Sequence, residues 1–383
     1  MNPAPSISLI WLALAATASA GDVWPTVRGD AALSGVSTSA LKAPLKPAWT
    51  FKAAKPVSAT PVIREGIAYF GDGDGVFHAV TLATGKEKWA YTLMDPKKGK
   101  PSRDPIEGSA CLVEGRVIFG ATDGFVYALN MADGKEAWKY ETKSEIKGGT
   151  SQYKIKGGAS AGKDYAVVVG FGGEVIALDV STGTLQWTHD AGGPVNGAAS
   201  ITDTAVVFGG CNGTIDILNP TTGKMDRRIE LGIYMPNSVP QRDGRGYGAH
   251  NGNKIECWDL ATGKTVWSFK DRDFGYFTSP AVTADVVIAG GDDKRMHCLD
   301  RATGDEKWAF KALDKIGSSP VIAGSLVVFG CDDGHFYAVD LASGEERWSY
   351  EVGAAIKSSP AVADGRVLIG ADDGTVHCFE SSK

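Results

Sequence analysis

The chain has 383 residues, 43% of them hydrophobic, with 49 glycines and a formal net charge of −6. That length and apolar content support a large buried core, and the acidic balance excludes a general nucleic-acid binder, which needs a basic footprint. Frequent glycine and the lack of long amphipathic periods point to many short turns and strands.

The first twenty residues, MNPAPSISLIWLALAATASA, hold an apolar run from Ile7 to Ala18 that ends in Ala18-Ser19-Ala20. This reads as a signal peptide (1–20) cut before Gly21, although its n-region has no Lys or Arg. The alternative is an uncleaved anchor, but the run falls short of the roughly 20 residues that span a bilayer. No later segment is long and apolar enough to span, so no membrane span is expected after cleavage. No cysteine follows the cut, so no lipid anchor is expected, and a periplasmic or secreted location follows. Residues 21–46 form a leader, with DVWPTVRGDAALSGVS (22–37) read as a tail that packs Trp24 onto the main fold.

From residue 47 to 383 the chain repeats. A turn glycine recurs at Gly85, Gly134, Gly183, Gly223, Gly263, Gly304 and Gly344, with spacings of 49, 49, 40, 40, 41 and 40. Four residues later stand Trp89, Trp138, Trp187, Trp267, Trp308 and Trp348, and the fourth copy has Arg227 instead. Each unit reads as four short strands: SSPVIAG, SLVVFG, HFYAVD and EERWSYEV in the unit from 318 to 352, separated by Asp- and Gly-containing turns. Periods near 40 with this content are propeller blades. The tryptophan reads as a plug between adjacent blades. Residues 358–380 supply three strands without a fourth, and Trp49 has the register of an outer strand without a unit of its own. The N-terminal strand is therefore expected to complete the last blade and close an eight-bladed, all-β ring, which removes exposed sheet edges. Seven blades is the runner-up.

Six cysteines in an exported chain suggest three disulfides. Against this, Cys257, Cys298 and Cys378 share a repeat position with Ala79, Ala128, Ala177 and Ala338. A small buried residue is wanted there, and free thiols are expected.

The segments VIALDVSTGTLQW (175–187), MHCLDRATGDEKW (296–308) and FYAVDLASGEERW (336–348) resemble the repeat of the pyrroloquinoline quinone (PQQ) propeller superfamily. The resemblance covers residues 47–383 and implies the eight-bladed fold. Trp258-Asp259 spells the WD dipeptide once, but the other units lack it. The superfamily holds both quinoprotein dehydrogenases and non-catalytic scaffolds. The dehydrogenases use adjacent cysteines, a tryptophan floor and calcium ligands; this sequence has no adjacent cysteines and no long insertions, so no catalytic, cofactor or metal residue is assigned. The closest likeness is to the BamB-type scaffold of outer-membrane protein assembly, which departs from this chain in its lipid-anchoring cysteine.

The acidic turns Asp72/Asp74, Asp292/Asp293, Asp332/Asp333 and Asp372/Asp373 read as hairpin chemistry rather than a metal arc. His78, His297 and His377 share one third-strand position and read as packed or rim histidines, distributed around the ring rather than gathered at a metal. Two basic inserts, 94–106 and 141–158, lie between fourth and first strands; the second contains the near-duplication IKGGTSQYK and IKGGASAGK. They place a candidate binding rim at Lys97, Lys98, Lys100, Arg103, Lys147 and Lys154, with an acidic arc toward the later blades. Glu107, Lys156, Asn196 and Lys357 occupy equivalent first-strand positions and form a candidate channel set for a small anion or an extended peptide.

The resulting expectation is a non-catalytic, monomeric, exported propeller that binds an envelope or secreted protein on its rim, with no cofactor and no nucleic acid. The alternatives are a PQQ- and calcium-dependent dehydrogenase of alcohols or sugars, and a carbohydrate-binding propeller.

Overall fold

The computed structural model describes residues 22–95, 97–142 and 155–382. The expected signal peptide and two rim candidates, Lys147 and Lys154, lie outside the described residues. All regular structure among the described residues is β.

Eight sheets follow one another as blades, antiparallel except that Val36–Ser37 of the leader adds to blade 7 as a parallel fifth strand. Blade 1 is Val62–Arg64, Ile67–Gly71, Val76–Thr81 and Glu87–Thr92, and blades 2 to 7 repeat that order. Blade 8 takes Ala361–Ala363, Arg366–Gly370 and Thr375–Ser381 from the C-terminal end, and its outer strand is Leu45–Lys52. Trp49 pairs with Cys378 in that closure, so the ring is locked by its two ends, as the register of Trp49 requires.

The repeat motif can be explained atom by atom. In blade 6, the Asp300 carboxylate accepts the N–H groups of Ala302 (2.9 Å) and Thr303 (3.2 Å). Its carbonyl accepts that of Gly304 (2.8 Å). This ties the turn, and only glycine tolerates the left-handed φ of +81° there. Directly across the pair of strands, each blade tryptophan opposes a small residue: Ala79 faces Trp89, Ala177 faces Trp187 and Cys298 faces Trp308. A register shift follows each of these pairs, and such a bulge turns the outer strand and its indole toward the neighbouring blade. The small side chain leaves the ring room to do so. All six cysteines are free thiols, five of them buried.

First-to-second and third-to-fourth turns lie on one face of the ring. Second-to-third turns and the loops between blades lie on the other. The leader occupies the first of these faces and contacts the innermost strand of every blade. Trp24 exchanges two backbone hydrogen bonds with Ile63 of blade 1 (2.8 Å each). Leu112 of blade 2 donates to Pro25, and Thr26 donates to Ala159 of blade 3. Blades 4, 5, 6 and 7 donate from Ile201, Gln241, Val282 and Ile322 to Ala31, Ala32, Ser34 and Gly35. Ser37 donates to Val362 of blade 8. Within this circuit Arg28 is buried, and its Nη2 donates to Pro280 of blade 6 (3.2 Å). Its Nε and Nη1 lack partners among the described residues, and burial pulls its pKa down to about 9.

On the inner wall, serines stitch blade to blade. Ser109 Oγ accepts the Thr60 N–H, and Ser238, Ser279, Ser319 and Ser359 accept those of Ala198, Ser238, Ser279 and Ser319 (2.9–3.2 Å).

Candidate functional site

The indole seam is the most regular interaction in the ring. Trp49, Trp89, Trp138, Trp187, Trp267 and Trp308 each lay their ring over the turn glycine of the next blade, and each Nε1 donates to the carbonyl three residues before that glycine (2.8–3.1 Å). A Cβ on Gly183 would lie 2.6 Å from the Trp138 ring, so the glycine is demanded twice, by φ and by contact. Trp348 behaves differently. It faces blade 8, which has no such turn, and packs edge-on against Phe379 at 5.3 Å.

At the channel mouth, two of the four candidates meet. Lys156 pairs with Glu107 of the preceding blade at 2.9 Å and lies over the Phe171 ring. Lys357 pairs with Asp372 at 2.6 Å, and that carboxylate raises its pKa. The Asn196 amide donates to Tyr234 Oη (3.3 Å) and approaches Cys211 Sγ (3.5 Å). The structure thus brings Glu107 and Lys156 together and leaves Asn196 and Lys357 in separate contacts.

On the same face, Lys97, Lys98, Lys100 and Arg103 are exposed. Lys98 pairs with Asp95 (3.1 Å) and Arg103 with Asp74 (3.9 Å); Lys100 lies in a two-residue hairpin paired to Met94–Asp95. The acidic turns have a division of labour. In blade 7, Asp333 Oδ1 accepts the His335 N–H and Oδ2 accepts the Tyr337 hydroxyl (2.9 Å). Asp123 serves Phe125 and Tyr127 in the same way. The preceding acids, Asp332 and Asp372, face Lys357.

The histidines are held by carboxylates. Buried His297 lies between Asp293 at Nε2 and Glu306 at Nδ1, both at 2.6 Å. Burial opposes its charge, but the hydrogen bonds and charges of Asp293 and Glu306 raise its pKa overall. Likewise burial opposes ionisation of Asp293, yet His297 holds its pKa below the ordinary value. Asp271, Asp293 and His297 have donor atoms within 4.8 Å of one another. Both ring nitrogens are already engaged, however, and Arg272 and Arg295 lie 3.4 and 3.9 Å from Asp271, so this donor set fits an ion-pair network. His78 sits between Asp72 and Glu87.

Sequence reasoning overlooked a set of exposed apolar tips on the loop-bearing face: Ile233, Phe274 and Leu313, on the successive inter-blade loops after blades 4, 5 and 6. Leu313 is 70% exposed. The signal was present as an apolar residue at a loop tip in each of those copies.

A family model described as outer membrane protein assembly factor BamB matches residues 40–153, 107–310 and 292–383. No curated protein sequence matches the chain. Among solved structures, BamB from Moraxella catarrhalis is 18% identical, covering 88% of this chain and 99% of its own, with a TM-score of 0.71. The quinohemoprotein alcohol dehydrogenase from Comamonas testosteroni is 19% identical (96% of this chain, 82% of that one, TM-score 0.75). A europium-containing methanol dehydrogenase is 16% identical (94% and 98%, TM-score 0.76). At these identities the likeness shows the fold.

Proposed function

The chain belongs to the BamB family of PQQ-like repeat propellers, and from that premise we propose that it is an exported, non-catalytic scaffold that binds a protein partner in the cell envelope. The observation that carries this reading is the arc of exposed Ile233, Phe274 and Leu313 on successive loops, on the face that also presents Lys97, Lys98, Lys100 and Arg103. Apolar tips on one side of this face and cations across the ring from them, on loops fixed by a rigid scaffold, make an extended docking surface: the tips supply buried area and the cations steer encounter.

The second reading, a PQQ- and calcium-dependent dehydrogenase, draws on the likeness to the two dehydrogenases. Calcium takes six to eight oxygens about one point. Glu107 carries suitable oxygens but is held by Lys156 at 2.9 Å, and Asn196, whose Nδ2 donates to Tyr234 Oη, offers a single amide oxygen, so these two side chains fall well short of that number. Titration calorimetry with PQQ and calcium, followed by a dye-reduction assay with alcohols and sugars, separates the readings. The scaffold reading expects neither heat nor turnover. Stoichiometric binding with turnover overturns it.

A further inference from the structure

Six of the blade junctions are closed by a tryptophan in one geometry; the junction between blades 4 and 5 is not. Arg227 stands at the indole position and is exposed, and opposite it Ile217 replaces the usual Ala or Cys. The tyrosines that flank the indole in blades 1 and 5, Tyr69 and Tyr247, have the smaller Val207 as their equivalent in blade 4. The receiving turn keeps its shape, with the exposed Arg227 stem lying over it, Cδ 3.0 Å from where a Cβ on Gly263 would stand. Gly263 keeps its left-handed φ of +73°, and the Leu260 carbonyl, equivalent to the six that accept an indole N–H, has no hydrogen-bond donor among the described residues. The result is a cleft of about 560 Å³, lined by Ala205, Ile217, Leu260 and the stem of Arg227. That volume falls in the range of ligand sites.

We propose that this cleft is a docking slot for an indole side chain carried by a partner polypeptide, which displaces the exposed Arg227 stem and then sits as the chain's own tryptophans do: ring over Gly263, N–H to the Leu260 carbonyl. The internal precedent defines the occupant's shape and its one hydrogen bond. Charge defines what flanks it. Asp203 and Asp226 line the rim without ion-pair partners among the described residues; Arg242, which also lines it, lies 3.8 Å from Asp243, and Asp243 is engaged by Arg301 at 2.8 Å. Once the Arg227 stem is displaced, Asp203 and Asp226 are the lining charges left without a partner among the described residues, and they fit a tryptophan with lysine or arginine beside it. The slot lies on the face opposite the apolar loop tips, so it adds a second contact point and does not depend on the first.

The test uses the full mature chain and two fluorinated probes followed by ¹⁹F NMR: N-acetyl-5-fluorotryptophanamide, and the same residue flanked by lysines in a capped tripeptide. Both should bind saturably, with a dissociation constant of about 1 mM or tighter. The tripeptide should bind several-fold more tightly at low salt and lose that advantage when salt shortens the screening length. Arg227→Trp should abolish binding, because the chain then fills its own slot. In parallel, methyl spectra of the unmutated protein should show probe-induced shifts at Ile217 and Leu260 and none at Ile63 or Leu129. Absence of saturable binding, shifts elsewhere in the ring, or undiminished binding to folded Arg227→Trp each overturns the slot. The methyl measurement decides the matter if that variant does not fold. Failure of the loop-face scaffold reading leaves these outcomes unchanged.

Discussion

Truncating Trp138 should cost far more than truncating Arg227, although both occupy the same repeat position. Trp138 is 9% exposed, its ring covers Gly183, and its Nε1 donates to Val180 at 2.9 Å. Burying an indole of about 200 Å² at about 25 cal/mol per Å² gives about 5 kcal/mol. Residual burial in the unfolded chain lowers that to about 3–4 kcal/mol. Losing the hydrogen bond, with the Val180 carbonyl left beside a cavity, adds about 1 kcal/mol. Trp138→Ala should therefore destabilise by about 4 kcal/mol, within the usual span for such truncations. Arg227→Ala removes an exposed side chain with no ion-pair partner among the described residues and should change stability by less than about 0.5 kcal/mol. For a ring of this size, 4 kcal/mol corresponds to a fall of about 5 °C in melting temperature. Urea unfolding and calorimetry of both variants measure the contrast. Equal losses, or a Trp138→Ala cost below about 1 kcal/mol, would refute the idea that indoles close the junctions.

Three other perturbations follow from the same packing. Arg28→Met removes a buried guanidinium with two unpartnered nitrogens, so stability should rise by about 1–4 kcal/mol in urea unfolding; a loss would show that the charge is compensated. His297→Gln should cost about 3 kcal/mol near pH 6. Because the folded pKa of His297 is raised, the imidazolium's contribution is complete below its ordinary pKa and fades as pH rises through the raised value. The cost of the variant should shrink accordingly between pH 6 and alkaline pH, and a cost independent of pH would contradict the Asp293–His297–Glu306 ion pairing. In thiol titration, only half-buried Cys211 should react in the native state. Burial pushes Cys111, Cys298, Cys331 and Cys378 up to about 12, so they and Cys257 should react only on unfolding; a pair that never reacts would reveal a disulfide.

The ring was legible because its motif is over-determined. Asp300, Gly304 and Trp308 each meet an independent demand: a capped turn, a positive φ and an inter-blade indole. The same demands recur at Asp340 and Gly344. Trp49 betrayed closure because its register only makes sense in blade 8. The leader's circuit was less legible. Its contacts are irregular backbone and hydroxyl hydrogen bonds from Trp24 to Ser37, which leave no period in the sequence. The histidines show a second limit. His78, His297 and His377 share a strand position, but their environments depend on turn and outer-strand residues. Asp293 and Glu306 grip His297, whereas His377 Nε2 has no partner among the described residues. The Glu107–Lys156 pair joins residues from two blades and depends on how those blades sit together. Arg227 was visible as an exception, yet its meaning needed the six indole seams beside it.

The scaffold reading is tested most directly by photo-crosslinking in the native envelope, with the crosslinking amino acid placed at Phe274 or Arg103 on the loop face and at Lys86 on the turn face as a control. It predicts one saturable polypeptide adduct from the loop-face positions, none from the control, and weaker capture when Lys97, Lys98 and Lys100 are changed to glutamate. No adduct from the loop face, or identical adducts from both faces, would contradict it.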